Sequence, residues 1–96
     1  MIPGLMSALS ESVVASTTTI AVNSDIVYLT GSTAVATITA PLRGGWSSLI
    51  FVVPTDHTVA TVTTGNISLA LTMPQNQVTV MVWSFKNSKW YIGAIS

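Results

Sequence analysis

The sequence predicts an all-β protein, a small antiparallel β-sandwich or barrel of about eight short strands behind a short N-terminal arm. Short stretches alternate apolar and polar residues at period two along most of the chain. Clusters of Gly, Pro, Asn, Asp and Ser punctuate them at close spacing, the pattern of sandwiches and barrels. The chain is 49% hydrophobic yet holds only three Trp, two Tyr and two Phe. Its core material is therefore largely small and β-branched, which suits pleated sheet. Ninety-six residues make a single domain, divided into an arm over residues 1–12 and a β-domain over 13–96.

In the arm, Ile2, Leu5, Met6 and Leu9 fall on one helical face, with Pro3 acceptable in a first turn. So short a stripe is not stable alone; it either docks on the β-domain or on a neighbour, or is a disordered terminus. Thr17 to Val22 and Ile26 to Thr30 read as an early hairpin, because the side chains of Asn23, Ser24 and Asp25 mimic backbone in turns. Gly31-Ser32-Thr33 turns the chain into Ala34 to Ala40, and Pro41 ends that strand because proline cannot donate to a ladder. Leu42-Arg43-Gly44-Gly45 is a flexible turn. Trp46 to Val53 is nearly all apolar at Leu49-Ile50-Phe51-Val52-Val53, which predicts cover on both faces. His57 to Thr64 and Ile67 to Met73 frame Gly65-Asn66, a type II′ hairpin signature. In the second of these strands Ile67, Leu69, Leu71 and Met73 share one face.

Val78 to Ile95 organises the rest. Val78, Val80 and Val82 alternate with Thr79, Met81 and Trp83 as far as Phe85. Lys86-Asn87-Ser88-Lys89 then turns into Trp90-Tyr91-Ile92, with Asn87 suited to the left-handed position. Valines line one side, and Met81, Trp83 and Phe85 the other. Both faces want covering, which places this hairpin centrally or at a subunit contact.

Charged residues are 6% of the chain and cancel to zero, against about 25% in an ordinary soluble domain. Such a surface tends to self-associate unless other subunits cover it, the alternative being a small β-domain solvated by its many threonines and serines. Only Arg43, Lys86 and Lys89 are cationic, so phosphates find no basic patch and nucleic acid is not an expected partner. There is no cysteine, hence no disulfide or thiolate metal site. The uncharged run from His57 to Phe85 is broken by Thr, Asn, Gln and Pro74, so no membrane helix is expected. Met1-Ile2-Pro3-Gly4 lacks the cationic start and apolar core of a secretory signal, which predicts a protein made in the cytoplasm.

Catalysis is not expected either. The single histidine, His57, follows Asp56 directly, and neighbours in a strand point to opposite faces, poor geometry for an acid orienting a base. Glu11, Asp25 and Asp56 are far apart in sequence and form no acid pair or metal-ligand spacing. Gly44-Gly45 leads into Trp46 rather than a phosphate loop. No catalytic residue, cofactor site or metal site is assigned. Trp46, Trp83, Trp90 and Tyr91 could stack on sugar rings, but core and interface roles are commoner for such rings.

Taken together, 31–41 (Gly-Ser-Thr-Ala-Val-Ala-Thr-Ile-Thr-Ala-Pro), 48–54 (Ser-Leu-Ile-Phe-Val-Val-Pro), 63–70 (Thr-Thr-Gly-Asn-Ile-Ser-Leu-Ala), Val78-Thr79-Val80 and Lys89-Trp90-Tyr91 resemble a β-module of tailed-bacteriophage virion proteins. In that module a strand ending Ile-Thr-x-Pro precedes an apolar strand, a Thr-Thr-x-Gly-Asn-Ile-x-Leu-Ala hairpin and a closing Lys-Trp-Tyr strand. Here Asn87-Ser88 replaces the usual glycine turn before the last of these. The likeness covers roughly residues 25–96 and is rich in Thr, Ala and Val. A free-standing chain of this length looks most like a capsid cement, or decoration, protein. The resemblance implies a homotrimer on the capsid surface of the virion, partnered by the major capsid protein. The alternative it leaves open is a receptor-binding or fibre-tip module recognising host glycans through Trp46 or Trp90. Ile2, Leu5, Met6, Leu9, Trp46, Met81, Trp83, Phe85, Trp90 and Tyr91 are the candidate subunit or capsid contacts.

Overall fold

The computed structural model describes residues 10–22, 24–40 and 49–95, with the side chains of residues 94 and 95 left aside. Among these residues there are nine short strands and no helix. They are β1 (Glu11–Ala15), β2 (Thr19–Ile20), β3 (Ile26–Thr30), β4 (Thr37–Ile38), β5 (Leu49–Pro54), β6 (Val59–Ala60), β7 (Thr72–Met73), β8 (Thr79–Ser84) and β9 (Lys89–Ile95). The all-β expectation holds, and β3 occupies the predicted Ile26 to Thr30.

The pairing departs from an all-antiparallel sandwich or barrel. A five-stranded sheet runs in the order β1-β3-β5-β8-β9, beside two-stranded sheets β2-β4 and β6-β7, and none of them closes on itself. Pairs β1–β3, β3–β5 and β2–β4 are parallel; β5–β8, β6–β7 and β8–β9 are antiparallel. From β1 to β5 the chain alternates between the large sheet and the β2-β4 sheet, so strands meeting again in one sheet run the same way. A strand of the other sheet thus does the work of the crossover that parallel pairing requires.

The predicted hairpin of Thr17 to Val22 with Ile26 to Thr30 does not form: β2 pairs with β4 and β3 with β1 and β5, and Ser24 and Asp25 bond to residues at and just before the start of β1. Ser10 donates from its N–H and its hydroxyl to Asp25 Oδ2, at 3.1 Å each, and Asp25 N–H donates to Ser10 Oγ at 3.0 Å. Ser24 Oγ lies 2.6 Å from Ser12 Oγ and donates to Ile26 O at 2.8 Å. Residues 11 and 12, placed with the arm by sequence, belong to β1.

Gly65-Asn66 likewise makes no tight hairpin: Val59 pairs with Met73 and Ala60 with Thr72, and the chain between them is largely irregular. Thr61 replaces ladder bonds there, its buried hydroxyl donating to Leu69 O at 2.8 Å and accepting from Leu71 N–H at 3.0 Å. Side-chain bonds of this kind compete directly with sheet formation. The C-terminal hairpin does form, closing at Ser84↔Lys89. Its left-handed residue is Ser88 (φ 54°) rather than Asn87; Ser88 N–H reaches Ser84 O at 2.8 Å, and Asn87 N–H reaches Ser84 Oγ at 3.1 Å.

One core joins the three sheets. It contains Ile20, Val27, Leu29, Val35, Ile38, Ile50, Val52, Val59, Ile67, Met73, Met81, Trp83 and Trp90. Alternation along each strand of the large sheet sends one set of side chains into it and the other set away.

Candidate functional site

A knot of bonds around Asn66 ties β4 to β9, the edge strand of the large sheet. Ile38 N–H donates to Asn66 Oδ1 at 2.9 Å, and Asn66 Nδ2 donates to Ile38 O at 2.7 Å. The carboxamide therefore pairs with Ile38 as a neighbouring strand's backbone would. The Asn66 main chain extends the contact, donating to Ala36 O at 3.1 Å and accepting from Trp90 N–H at 2.8 Å. Trp90 Nε1 closes the circuit on Ile38 O at 3.1 Å. Gly65 is required here for space: a Cβ would lie 2.1 Å from Thr37 Oγ1 and 2.2 Å from Ala36 O.

With its edge strand β9 held in this way, the large sheet turns an apolar outer face away from the core. The register aligns Glu11, Ile26, Phe51 and Val80 in one row across the sheet, Val13, Tyr28 and Val53 in a second, and Leu49, Val82 and Tyr91 in a third. Val13 is 69% exposed, Val82 44% and Tyr91 41%; Ile26, Tyr28, Phe51, Val53 and Val80 are half-buried. Glu11 stands on this face at the β1 edge and Lys89 at the β9 edge. The run Leu49-Ile50-Phe51-Val52-Val53 signalled two apolar faces, but the chain itself buries only the Ile50 and Val52 side.

Two titratable groups carry shifted pKa values. The Tyr28 hydroxyl donates to Glu11 Oε1, and this bond first, then desolvation and the nearby negative charge, raises the phenol's pKa. His57 Nδ1 lies 3.1 Å from Asp56 Oδ1, which also accepts Gly31 N–H at 2.8 Å. The bond from His57 is the main cause that lowers the Asp56 pKa, aided by Gly31 and opposed by desolvation. The strand alternation behind the expected poor geometry of Asp56 and His57 does not apply, because they sit in a bend after β5 and their side chains meet. Among the described residues no three His, Cys, Asp or Glu side chains gather as metal ligands, and no helix is long and apolar enough to cross a membrane.

The candidate contact residues separate into distinct groups. Ile2, Leu5, Met6, Leu9 and Trp46 lie outside the described residues. Met81, Trp83 and Trp90 are buried in the chain's own core, with Trp90 1% exposed. The Trp83 and Trp90 rings meet at 5.4 Å between centroids, and Phe85 packs edge-on against Trp83 at 6.2 Å. Phe85 and Tyr91 reach the surface, and Asn87 Nδ2 donates to the Tyr91 hydroxyl at 2.9 Å. Sequence reasoning missed Val13, Ile26, Val53 and Val80 as contributors to an exposed face, because it did not foresee β1 or the order of the sheet.

No protein-family model, curated protein or solved structure matches the chain.

Proposed function

We propose that the protein is a structural virion component, a capsid cement protein that binds the outer surface of a phage head and stabilises the junctions between capsomers. In this reading it is made in the host cytoplasm, assembles as a homotrimer and takes the major capsid protein as its partner. The observation that carries the reading is the apolar outer face of the large sheet, on a chain with only six charged side chains. Area of this kind works by contact rather than by chemistry. A cement acts in the same way, each subunit adding contacts that internal pressure must break along with those of the shell. Several modest contacts engaged together bind an assembled shell far more tightly than one capsid subunit, and a cyclic trimer matches a threefold junction.

The test is to mix purified protein with capsids that lack it, count bound copies and measure resistance of the particles to heat or chelator. Stoichiometric binding with gained resistance is expected. Absence of binding to shells, together with saturable binding to host cells or glycans, refutes the reading.

One observation favours a receptor-binding or fibre-tip module: the exposed Tyr91 ring stands beside the Asn87 amide, a pairing suited to a sugar. Burial of Trp90 removes one of the two tryptophans that this alternative relied on. A glycan-binding assay on Tyr91→Ala decides whether this ring takes part.

A further inference from the structure

We infer that the outer face of the five-stranded sheet is where copies of this chain meet, the β1 edge of one copy lying against the β9 edge of the next. The inference rests on the self-association part of the proposed function and adds the surface that performs it.

The face is continuous, since the rows through Ile26, Phe51 and Val80 and through Val82 and Tyr91 cross hydrogen-bonded strands without a polar gap. Five strands about 4.8 Å apart and roughly 17 Å long present about 400 Å². A patch of that size, within the range of about 300 to 600 Å² found for the largest apolar patch of a monomer, often marks a binding site. Its composition resembles the centre of an interface, with aromatic and aliphatic groups inside and charge excluded to the rim.

Charge placement identifies the occupant as a second copy. Of the side chains that the strand register puts on this face, Glu11 is the one anion and Lys89 the one cation, and they occupy the two opposite edge strands. When copies meet β1 edge to β9 edge, each Glu11 approaches a Lys89 of the neighbour and no like charges are opposed. Contact of the same face on both copies is isologous, and a twofold axis satisfies it. The face alone, at about 400 Å², supplies half of the roughly 800 Å² per partner in a standard stable interface. Contact through the face must therefore extend onto the edges that carry the two charges.

The test measures association of the full chain by sedimentation across a micromolar concentration series. Val13→Lys and Val82→Lys alter side chains already exposed in the single chain, so near-ultraviolet circular dichroism from the buried tryptophans should be retained. Each is expected to raise the apparent dissociation constant of the oligomer at least about tenfold. Glu11→Lys and Lys89→Glu should each weaken association, and the doubly reversed chain should recover most of the loss. Recovery guards against misfolding as the explanation, because a merely structural role for either residue would not be restored by the second change. If the wild type associates but all four single variants associate equally well, the contact lies elsewhere and the inference fails while self-association stands. A monomeric wild type overturns both. An oligomer that responds as expected yet does not bind capsids leaves the inference standing and refutes the cement reading.

Discussion

Replacing Asn66 tests whether one side chain can stand in for a strand. In Asn66→Ala the Ile38 N–H loses its acceptor and Ile38 O keeps only the Trp90 indole donor. Two lost hydrogen bonds at about 1 kcal/mol each, plus about 1 to 2 kcal/mol for a partly buried N–H left unpaired, give about 3 to 4 kcal/mol. At an m-value of about 1.5 kcal/mol/M, this lowers the urea midpoint by roughly 2 to 3 M. The assay is tryptophan fluorescence during urea unfolding, at one fixed protein concentration because association would itself shift the midpoint. Asn66→Asp sharpens the test, since the new carboxylate can still accept from Ile38 N–H but presents its second oxygen to Ile38 O. The protonated acid can donate to that carbonyl, so the folded state should raise the acid's pKa above its unfolded value. A raised pKa stabilises the fold below the unfolded value, and the benefit is lost as pH rises through the folded one. Asn66→Asp should therefore be more stable relative to wild type in mild acid than at neutral pH. A loss below about 0.5 kcal/mol in Asn66→Ala, within the range of ordinary surface changes, would refute the strand-surrogate account.

Four further outcomes are expected. Trp83→Ala should cost about 3 to 5 kcal/mol by urea unfolding; Trp83→Phe should cost far less, because the Trp83 Nε1 has no hydrogen-bond partner among the described residues. Gly65→Ala should cost about 2 kcal/mol or more through overpacking, whereas Gly93→Ala, whose Cβ would meet Val80 atoms at 3.7 to 3.9 Å, should change the midpoint little. The lowered pKa of Asp56 means that its contribution is present above the unfolded carboxyl range and lost as pH falls through the folded value. It is exposed and weakened by salt, and Asp56→Asn should flatten this part of the acid limb in a pH series. Deleting residues 1–9 should leave the β-domain folded and weaken attachment to capsids, while deleting 1–12 also removes Ser10, Glu11 and Ser12 and should lower the thermal midpoint.

The sequence reported composition and local periodicity more faithfully than partnership. β3, β5, β8 and β9 were legible because alternation or an unbroken apolar run marks a strand whatever it pairs with. Pairing was not legible where polar side chains intervene. Asn23-Ser24-Asp25 has the composition of a hairpin turn, yet Ser24 and Asp25 bond to Ser12 and Ser10, residues that precede the predicted hairpin. Gly65-Asn66 has the composition of a type II′ turn, but its glycine is needed for close approach to Ala36 and its asparagine to pair with Ile38. Turn residues are informative about backbone freedom and hydrogen-bonding capacity, and both can be used across the fold as well as along the chain. Of the candidate site, the two-faced apolar character of the hairpin was legible. Which face the chain covers for itself was not, because that depends on the strands β3 and β5 laid beside it.

The alternation of strands between sheets also bears on how the chain is made. Glu11 meets Ile26 fifteen positions on, and Ile26 meets Phe51 twenty-five further along. At about 5 to 20 residues per second of synthesis, β1 therefore leaves the ribosome seconds before β5, and before the C-terminal hairpin that flanks β5 on its other side. The hairpin, closed by a turn of four residues, has the smallest loop-closure cost in the sheet. We expect structure to spread from that end back toward β1, in the reverse of the order of translation, and amide protection appearing first in β1 during refolding would rule this out. The strands made first would then wait longest for partners, and for that interval the newborn chain exposes Val13, Val27 and Leu29 to any neighbouring nascent copy.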